Sequence, residues 1–219
     1  MIIVGVQFND VGTENGAKFG DLKGDFEDFD TLQFSYTDDD GLAAFKDYYY
    51  LTVAGGSVDV DAWYDGDDWS NPVTEQSIPL GKAAWFSPMS TKSINISGEV
   101  KKGHKTHTFV DPMTFECSYY PSPFCPNSAN VTWNQPEEFD TIQRAYTDED
   151  GLAAFKDYYY LTIAGGTAEA DAWYDGDDWS TPLSPTTPVA ESGEGFWYSP
   201  MTFDTATFTE VSPLGDVAE

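Results

Sequence analysis

The sequence predicts an all-β fold built as two tandem β-sandwich-like repeat modules, and three observations carry that prediction. First, residues 41–52, GLAAFKDYYYLT, return unchanged at residues 151–162. From Phe29 to Ser70 against Phe139 to Ser180, an offset of 110, 33 of 42 positions are identical, which marks a tandem duplication. Second, the apolar runs are short, rich in β-branched and aromatic residues and separated by Gly, Asp, Asn, Ser and Pro, while long helix-periodic runs are missing. Third, an aromatic content of 16% with seven Trp supplies a core to each module of a 219-residue chain, even against a formal charge of −28. The boundaries follow as module one at residues 1–100, a basic linker at 101–108 and module two at 109–219.

Along the chain, MIIVGVQF reads as a strand whose apolar residues are Ile2, Ile3, Val4 and Val6. Its apolar run is too short to span a membrane and has no basic leader, so an export signal would have to be removed ahead of this numbering. DTLQFSYT and AAFKDYYYL flank TDDDG, and their copies flank TDEDG, so each pair is expected to form a hairpin across an Asp/Gly turn. Alternation through the second strand predicts Phe45, Tyr49, Leu51 and Val53 inside, with Lys46, Tyr48, Tyr50 and Thr52 in solvent. That phase also puts Asp47 inside, so either a bulge lies near it or the strand starts one residue later. A short helix over LAAFKDYY is the alternative. AGGSVDVDAWYDGDDWS leads to a last pair of strands around AAWFSPM and INISGEV, matched by GFWYSPM and ATFTEV at an offset of 112. The two extra residues belong in the loop between Trp179 and Trp197. VKKGHKTH, with His104 and His107, reads as a solvated join and not as a metal pair.

Strong acidity excludes nucleic acid as a partner and disfavours an anionic membrane surface, leaving cations as the natural small ligands. Asp59, Asp61, Asp65, Asp67 and Asp68, with Glu169, Asp171, Asp175, Asp177 and Asp178 in the second copy, put hard oxygen donors around a Gly-containing turn, which suits calcium. The spacing is not that of an EF-hand loop, and Asp used for turns and solubility is the competing reading. Trp63, Tyr64 and Trp69, with Trp173, Tyr174 and Trp179, stand among those acids, and aromatic faces beside carboxylates suit stacking on sugars. Cys117 and Cys125 bracket the turn-rich SYYPSPF and are expected to close a disulfide in an oxidising compartment. Neither module carries a His of its own or a nucleophile elbow, so no catalytic residue is assigned and no enzyme is expected.

VGVQF, FDTLQ, DAWYD, the GxxxW of GKAAW and the closing SGEV together resemble a loosely defined group of uncharacterised secreted bacterial β-rich repeat proteins. The resemblance covers module one almost end to end and module two less well. It implies export to the cell surface or beyond and a β-rich repeat, and it brings no catalytic residues. In that pattern a further stretch precedes VGVQF, whereas here Ile2, Ile3, Val4 and Val6 begin the chain as a bare strand. An unpaired strand of this kind adds to a neighbouring chain, and a repeated two-module unit joined head to tail gives an open filament. The sequence therefore points to a homopolymeric structural subunit of an extracellular filament or surface layer, with calcium possible at its acidic faces. The alternative is a secreted polysaccharide-binding pair of modules.

Overall fold

The computed structural model describes residues 2–8, 16–52, 61–100, 102–109, 113–162, 171–202 and 206–214. Within them the chain is all-β, with one 3-10 turn at Phe19–Asp21. The first half supplies β1 (Ile2–Gly5), β2 (Ala17–Lys18), β3 (Thr31–Thr37), β4 (Ala43–Leu51), β5 (Ala62–Asp65), β6 (Asp68–Pro72), β7 (Ser77–Ile78) and β8 (Ala83–Ser87). The second supplies β9 (His104–Thr108), β10 (Thr114–Glu116), β11 (Val131–Asn134), β12 (Thr141–Thr147), β13 (Ala153–Leu161), β14 (Ala172–Asp175), β15 (Asp178–Pro182), β16 (Phe196–Ser199) and β17 (Thr207–Val211). The duplication is visible in the topology. Two six-stranded sheets run β1-β8-β3-β4-β5-β6 and β10-β16-β12-β13-β14-β15, with β11-β17-β9 and β2-β7 as smaller companions.

The expected hairpins form without a slip, from Thr31↔Tyr49 to Thr37↔Ala43 and from Thr141↔Tyr159 to Thr147↔Ala153. In their turns, Asp38 Oδ1 accepts the Asp40 and Leu42 amides at 3.0 and 2.8 Å, and Gly41 takes a φ of 77° that a side chain would resist. In β4 the faces of Phe45, Tyr48, Tyr49 and Tyr50 are the reverse of the sequence reading, while Leu51 is buried as that reading has it. Tyr48 is buried and Tyr50 packs on Trp63 at 5.4 Å, while Phe45 is 45% exposed. A tyrosine can bury its ring if its hydroxyl finds a partner, and Tyr48 Oη accepts a hydrogen bond from Gln76 at 2.9 Å. Asp47 then lies on the outer face beside Tyr49, no bulge is needed at that position, and the irregularities fall instead at Tyr64/Asp65 and Tyr174/Asp175. Val53 is outside the described residues.

Each half has its own aromatic core. Phe19, Tyr48, Trp63 and Phe86 lie in the first, and Phe124, Trp173, Tyr198 and Phe208 in the second. Burying each such side chain contributes about 1.5–3 kcal/mol before entropy is counted. The two cores solve one problem in different ways. Asp30 and Asp140 are equivalent and buried; Asp30 is neutralised by Lys92 Nζ at 2.6 Å, whereas Asp140 accepts the Tyr198 hydroxyl at 2.9 Å. Phe86 stands where Tyr198 does, so the hydroxyl and the lysine substitute for one another.

The halves meet across a pseudo-two-fold seam. Gly5 N–H donates to Gly193 O at 2.9 Å, and the equivalent Cys117 N–H donates to Gly81 O at 2.8 Å. Phe45 packs on Trp197 at 6.0 Å while its copy Phe155 packs on Trp85 at 5.5 Å. Ile3, Ala83, Phe115 and Cys117 form the buried centre. Three sequence expectations are corrected at this seam. The opening strand is not bare: β1 pairs with β8 on one side and its other edge takes Gly195 N–H onto Ile3 O at 2.8 Å, with Ile3 and Val6 buried and Val4 half-buried. The basic strip is not a flexible join, because His104–Thr108 is strand β9, paired residue by residue with β17. Thr106 and Thr108 alternate with the buried His107, a strand pattern hidden by the charges around it.

The third correction is the disulfide. Cys117 and Cys125 are both free thiols. Cys117 turns into the seam, its Sγ 3.6 Å from Val6 O and 3.5 Å from Lys82 O. SYYPSPF does not fold back on it: the Tyr120 hydroxyl is tied to Gly103 O at 2.5 Å and Phe124 N–H to Ala190 O at 2.8 Å, which carries Cys125 elsewhere. INISGEV supplies only isolated bridging, with Asn95 opposite Lys23.

Candidate functional site

The acid-rich turns are held by their own contacts. In DGDD of the first copy, Asp65 Oδ1 accepts the Asp67 amide at 2.8 Å, Asp68 Oδ1 accepts the Ser70 amide at 2.9 Å, and Lys46 reaches both Asp65, at 2.6 Å, and Asp67. The second copy repeats this with Asp175, Asp177, Asp178, Ser180 and Lys156. Hydrogen bonds from Asn71 and Ser70 lower the Asp68 pKa, and those from Ser180 lower that of Asp178. Asp61 and Asp171 sit apart, in left-handed backbone at φ 59° and 62°. Among the described residues no group of three or more His, Cys, Asp or Glu converges as a metal site. Asp59 and Glu169 fall outside the described residues.

Of the six aromatic residues singled out from the sequence, four are core. Trp63 is 3% exposed, and Tyr64, Trp173 and Tyr174 are fully buried. Trp69 and Trp179 are the other kind, 48% and 50% exposed, on the outer face of each sheet. Each belongs to a triad that spacing in the sequence did not reveal. Trp69 lies 6.2 Å from Phe29 and 5.9 Å from Tyr49; Trp179 lies 5.9 Å from Phe139 and 5.7 Å from Tyr159.

These triads are built and oriented. The indole N–H of Trp69 donates to Gly66 O at 3.0 Å, and that of Trp179 to Gly176 O at 3.0 Å, so the ring face is left outward while its polar edge is satisfied. The Tyr49 hydroxyl donates to Asp47 at 3.2 Å, and Asp47 is steadied by Gln33 at 2.7 Å; Tyr159, Asp157 and Gln143 repeat the arrangement. Burial, followed by the neighbouring Asp47 charge, raises the Tyr49 pKa, so its hydroxyl stays a donor. Phe29 and Phe139 each hold a φ of 69°, a conformation that costs a bulky residue about 1–3 kcal/mol. The surroundings impose it: Phe29 N–H donates to Tyr50 O at 2.9 Å and its carbonyl accepts the Thr31 hydroxyl at 2.9 Å. The trace of this in the sequence is that Phe29, Tyr49 and Trp69 all recur at an offset of 110, as Phe139, Tyr159 and Trp179.

Each platform therefore presents two half-exposed ring faces, a tyrosine edge and an ordered carboxylate, the features a sugar ring stacks on and bonds to. No family model, curated protein or solved structure matches the chain.

Proposed function

We propose that this chain is a secreted, non-enzymatic polysaccharide-binding protein that grips its ligand through two equivalent aromatic platforms, Phe29/Tyr49/Trp69 and Phe139/Tyr159/Trp179. The observation that carries the reading is the exposed aromatic triad built twice, each time around a phenylalanine in strained backbone. Strain of this kind persists where surrounding structure holds it, and it concentrates at binding sites. Two platforms on one chain suit a ligand that repeats, since a polymer engaged at one site meets the second at high effective concentration.

The test is retention on a panel of insoluble and gel-embedded polysaccharides by the full chain and by Trp69→Ala, Trp179→Ala and the double variant. Each single variant is expected to lose about tenfold in affinity, equivalent to roughly 1.4 kcal/mol for a lost stacking face, and the double variant to lose retention. Equal retention of the double variant and the parent on every polysaccharide would refute the reading, as would a parent that binds none.

A self-assembling subunit of a filament or surface layer is the second reading, and one feature favours it: among the described residues, β6 and β15 are the unpaired outer edges of the two sheets. Both begin on Asp and end on Pro, features that blunt an edge against pairing, and β1 is already occupied. Electron microscopy in millimolar calcium and in chelator separates the readings, because regular fibres in calcium alone would favour assembly through these acidic edges.

A further inference from the structure

Four segments bring charge into the buried seam. His107 comes from β9, Glu116 from β10, Glu210 from β17 and Lys82 from the turn ahead of β8. The His107 ring is packed between Tyr119 at 3.8 Å and Phe208 at 4.0 Å and is 3% exposed. Its two nitrogens point at two different carboxylates, Nδ1 at Glu116 Oε2 and Nε2 at Glu210 Oε2, each 3.2 Å away. Glu116 also holds Lys82 Nζ at 2.5 Å, and Glu210 Oε2 accepts the Tyr119 amide at 2.7 Å. The carboxylates flank opposite edges of the ring, so they do not converge on a point where a cation would sit.

Proton counting decides the state of this cluster. A neutral imidazole donates from one nitrogen only, and a carboxylate only accepts. Both contacts are hydrogen bonds only if the cluster holds one proton more than a neutral ring and two carboxylates. With that proton and Lys82, two negative charges meet two positive ones. Without it, a buried carboxylate faces a ring lone pair in a dry site, an arrangement that costs far more than the same charges in water.

We propose that His107, Glu116, Glu210 and Lys82 form a proton-operated latch that holds β9 and β17 against β10 and the first half, closed while the extra proton is present and released in alkali. Among the described residues, Tyr119 is the further titratable group against the ring, and Cys117 lies beside Glu116 in the segment after β10. Burial, together with the charges of Glu116 and Glu210, pushes the pKa values of both upward, so both stay neutral while the latch titrates. Burial opposes charge on His107, but its hydrogen bonds to Glu116 and Glu210 outweigh this and hold its pKa above the usual value; against its own burial, Glu116 is held below its usual value by His107 and Lys82. The sign follows from the raised histidine: its contribution is complete below the unfolded value of about 6.5 and is lost as pH rises through the folded one.

The experiment is imidazole NMR on the full chain across pH 5–10, joined to hydrogen exchange corrected for the intrinsic pH dependence. His107 is expected to be protonated at pH 7. Above its midpoint, protection of β9 and β17 falls about tenfold per pH unit, while the β3–β4 and β12–β13 hairpins keep theirs. Glu210→Gln, which removes one carboxylate, moves the step to lower pH. A His107 that is neutral at pH 7, protection of β9 and β17 that is indifferent to its titration, or loss of protection in all strands together would each overturn the latch.

Discussion

Replacing Gly5 by Ala tests the seam with a single methyl group. Gly5 has no positive φ, so the substitution strains no backbone, and its effect is steric alone. The added Cβ would lie 2.4 Å from Cys117 Cβ, 2.8 Å from Cys117 Sγ and 3.0 Å from Glu194 O. A Cβ cannot swing aside as a rotamer, so the backbones of β1 and of the segment after β10 must separate, which breaks the paired hydrogen bonds Gly5 to Gly193 and Cys117 to Gly81. Overpacking of a close-packed site costs about 1–3 kcal/mol, and an immovable contact belongs at the upper end. At about 3 kcal/mol, a chain of this length should lose roughly 6–12 °C in Tm. Thermal unfolding by near-UV circular dichroism measures this, and a second substitution makes it specific. Cys117→Ala keeps the offending Cβ and should not rescue Gly5→Ala, whereas Cys117→Gly removes it and should show a favourable coupling of 1 kcal/mol or more, on the order expected for residues in contact. Equal rescue by alanine and glycine, or an unchanged Tm in Gly5→Ala, would refute the reasoning.

Other outcomes follow from single contacts. Lys92→Met leaves the buried Asp30 without its counter-charge, held by the Glu27 and Met89 amides, and should cost about 3–5 kcal/mol by chemical denaturation, because Lys92 and Asp30 side chains are 4% and 0% exposed. Phe29→Asn, which suits left-handed backbone, should raise Tm by about 2–4 °C for roughly 1 kcal/mol of relieved strain while weakening polysaccharide retention. Lys46→Met removes the half-buried pair to Asp65 and the more exposed one to Asp67 and should change stability by about 1 kcal/mol or less. Thiol labelling of the native chain should mark Cys125 first and reach Cys117 only on unfolding, with no bridged form by mass spectrometry.

The hairpins were legible because turn chemistry and strand pattern agreed: Asp38 and Gly41 close the loop their letters imply. The phase of β4 was not, since AAFKDYYYL offers aromatics on both faces, and hydrophobicity alone preferred Phe45 over Tyr48. Asp47 was the informative residue. Placed inside, it calls for a bulge or a later strand start; turning the strand over at Tyr48 and Tyr50 needs neither. Trp63 and Trp69 looked alike as letters among acids, and only the turn between β5 and β6, with its irregularity at Tyr64/Asp65, sends one inward and the other outward. Phe29 was invisible because its role depends on a backbone conformation that pattern does not favour. The burial of His107 is hidden in the sequence because its partners Glu116 and Glu210 are 9 and 103 residues away.

The pseudo-two-fold seam also bears on how the chain reaches its native state. Two halves with nearly the same hairpin, each able to seat Phe45 or Phe155 on Trp85 or Trp197, cannot distinguish their own partner from another molecule's by contacts alone. Covalent connection biases the choice by proximity, and that bias fades as concentration rises. Refolding at high concentration should therefore yield exchanged dimers with native-like seams, while dilution favours the monomer, a liability characteristic of chains built from repeated units.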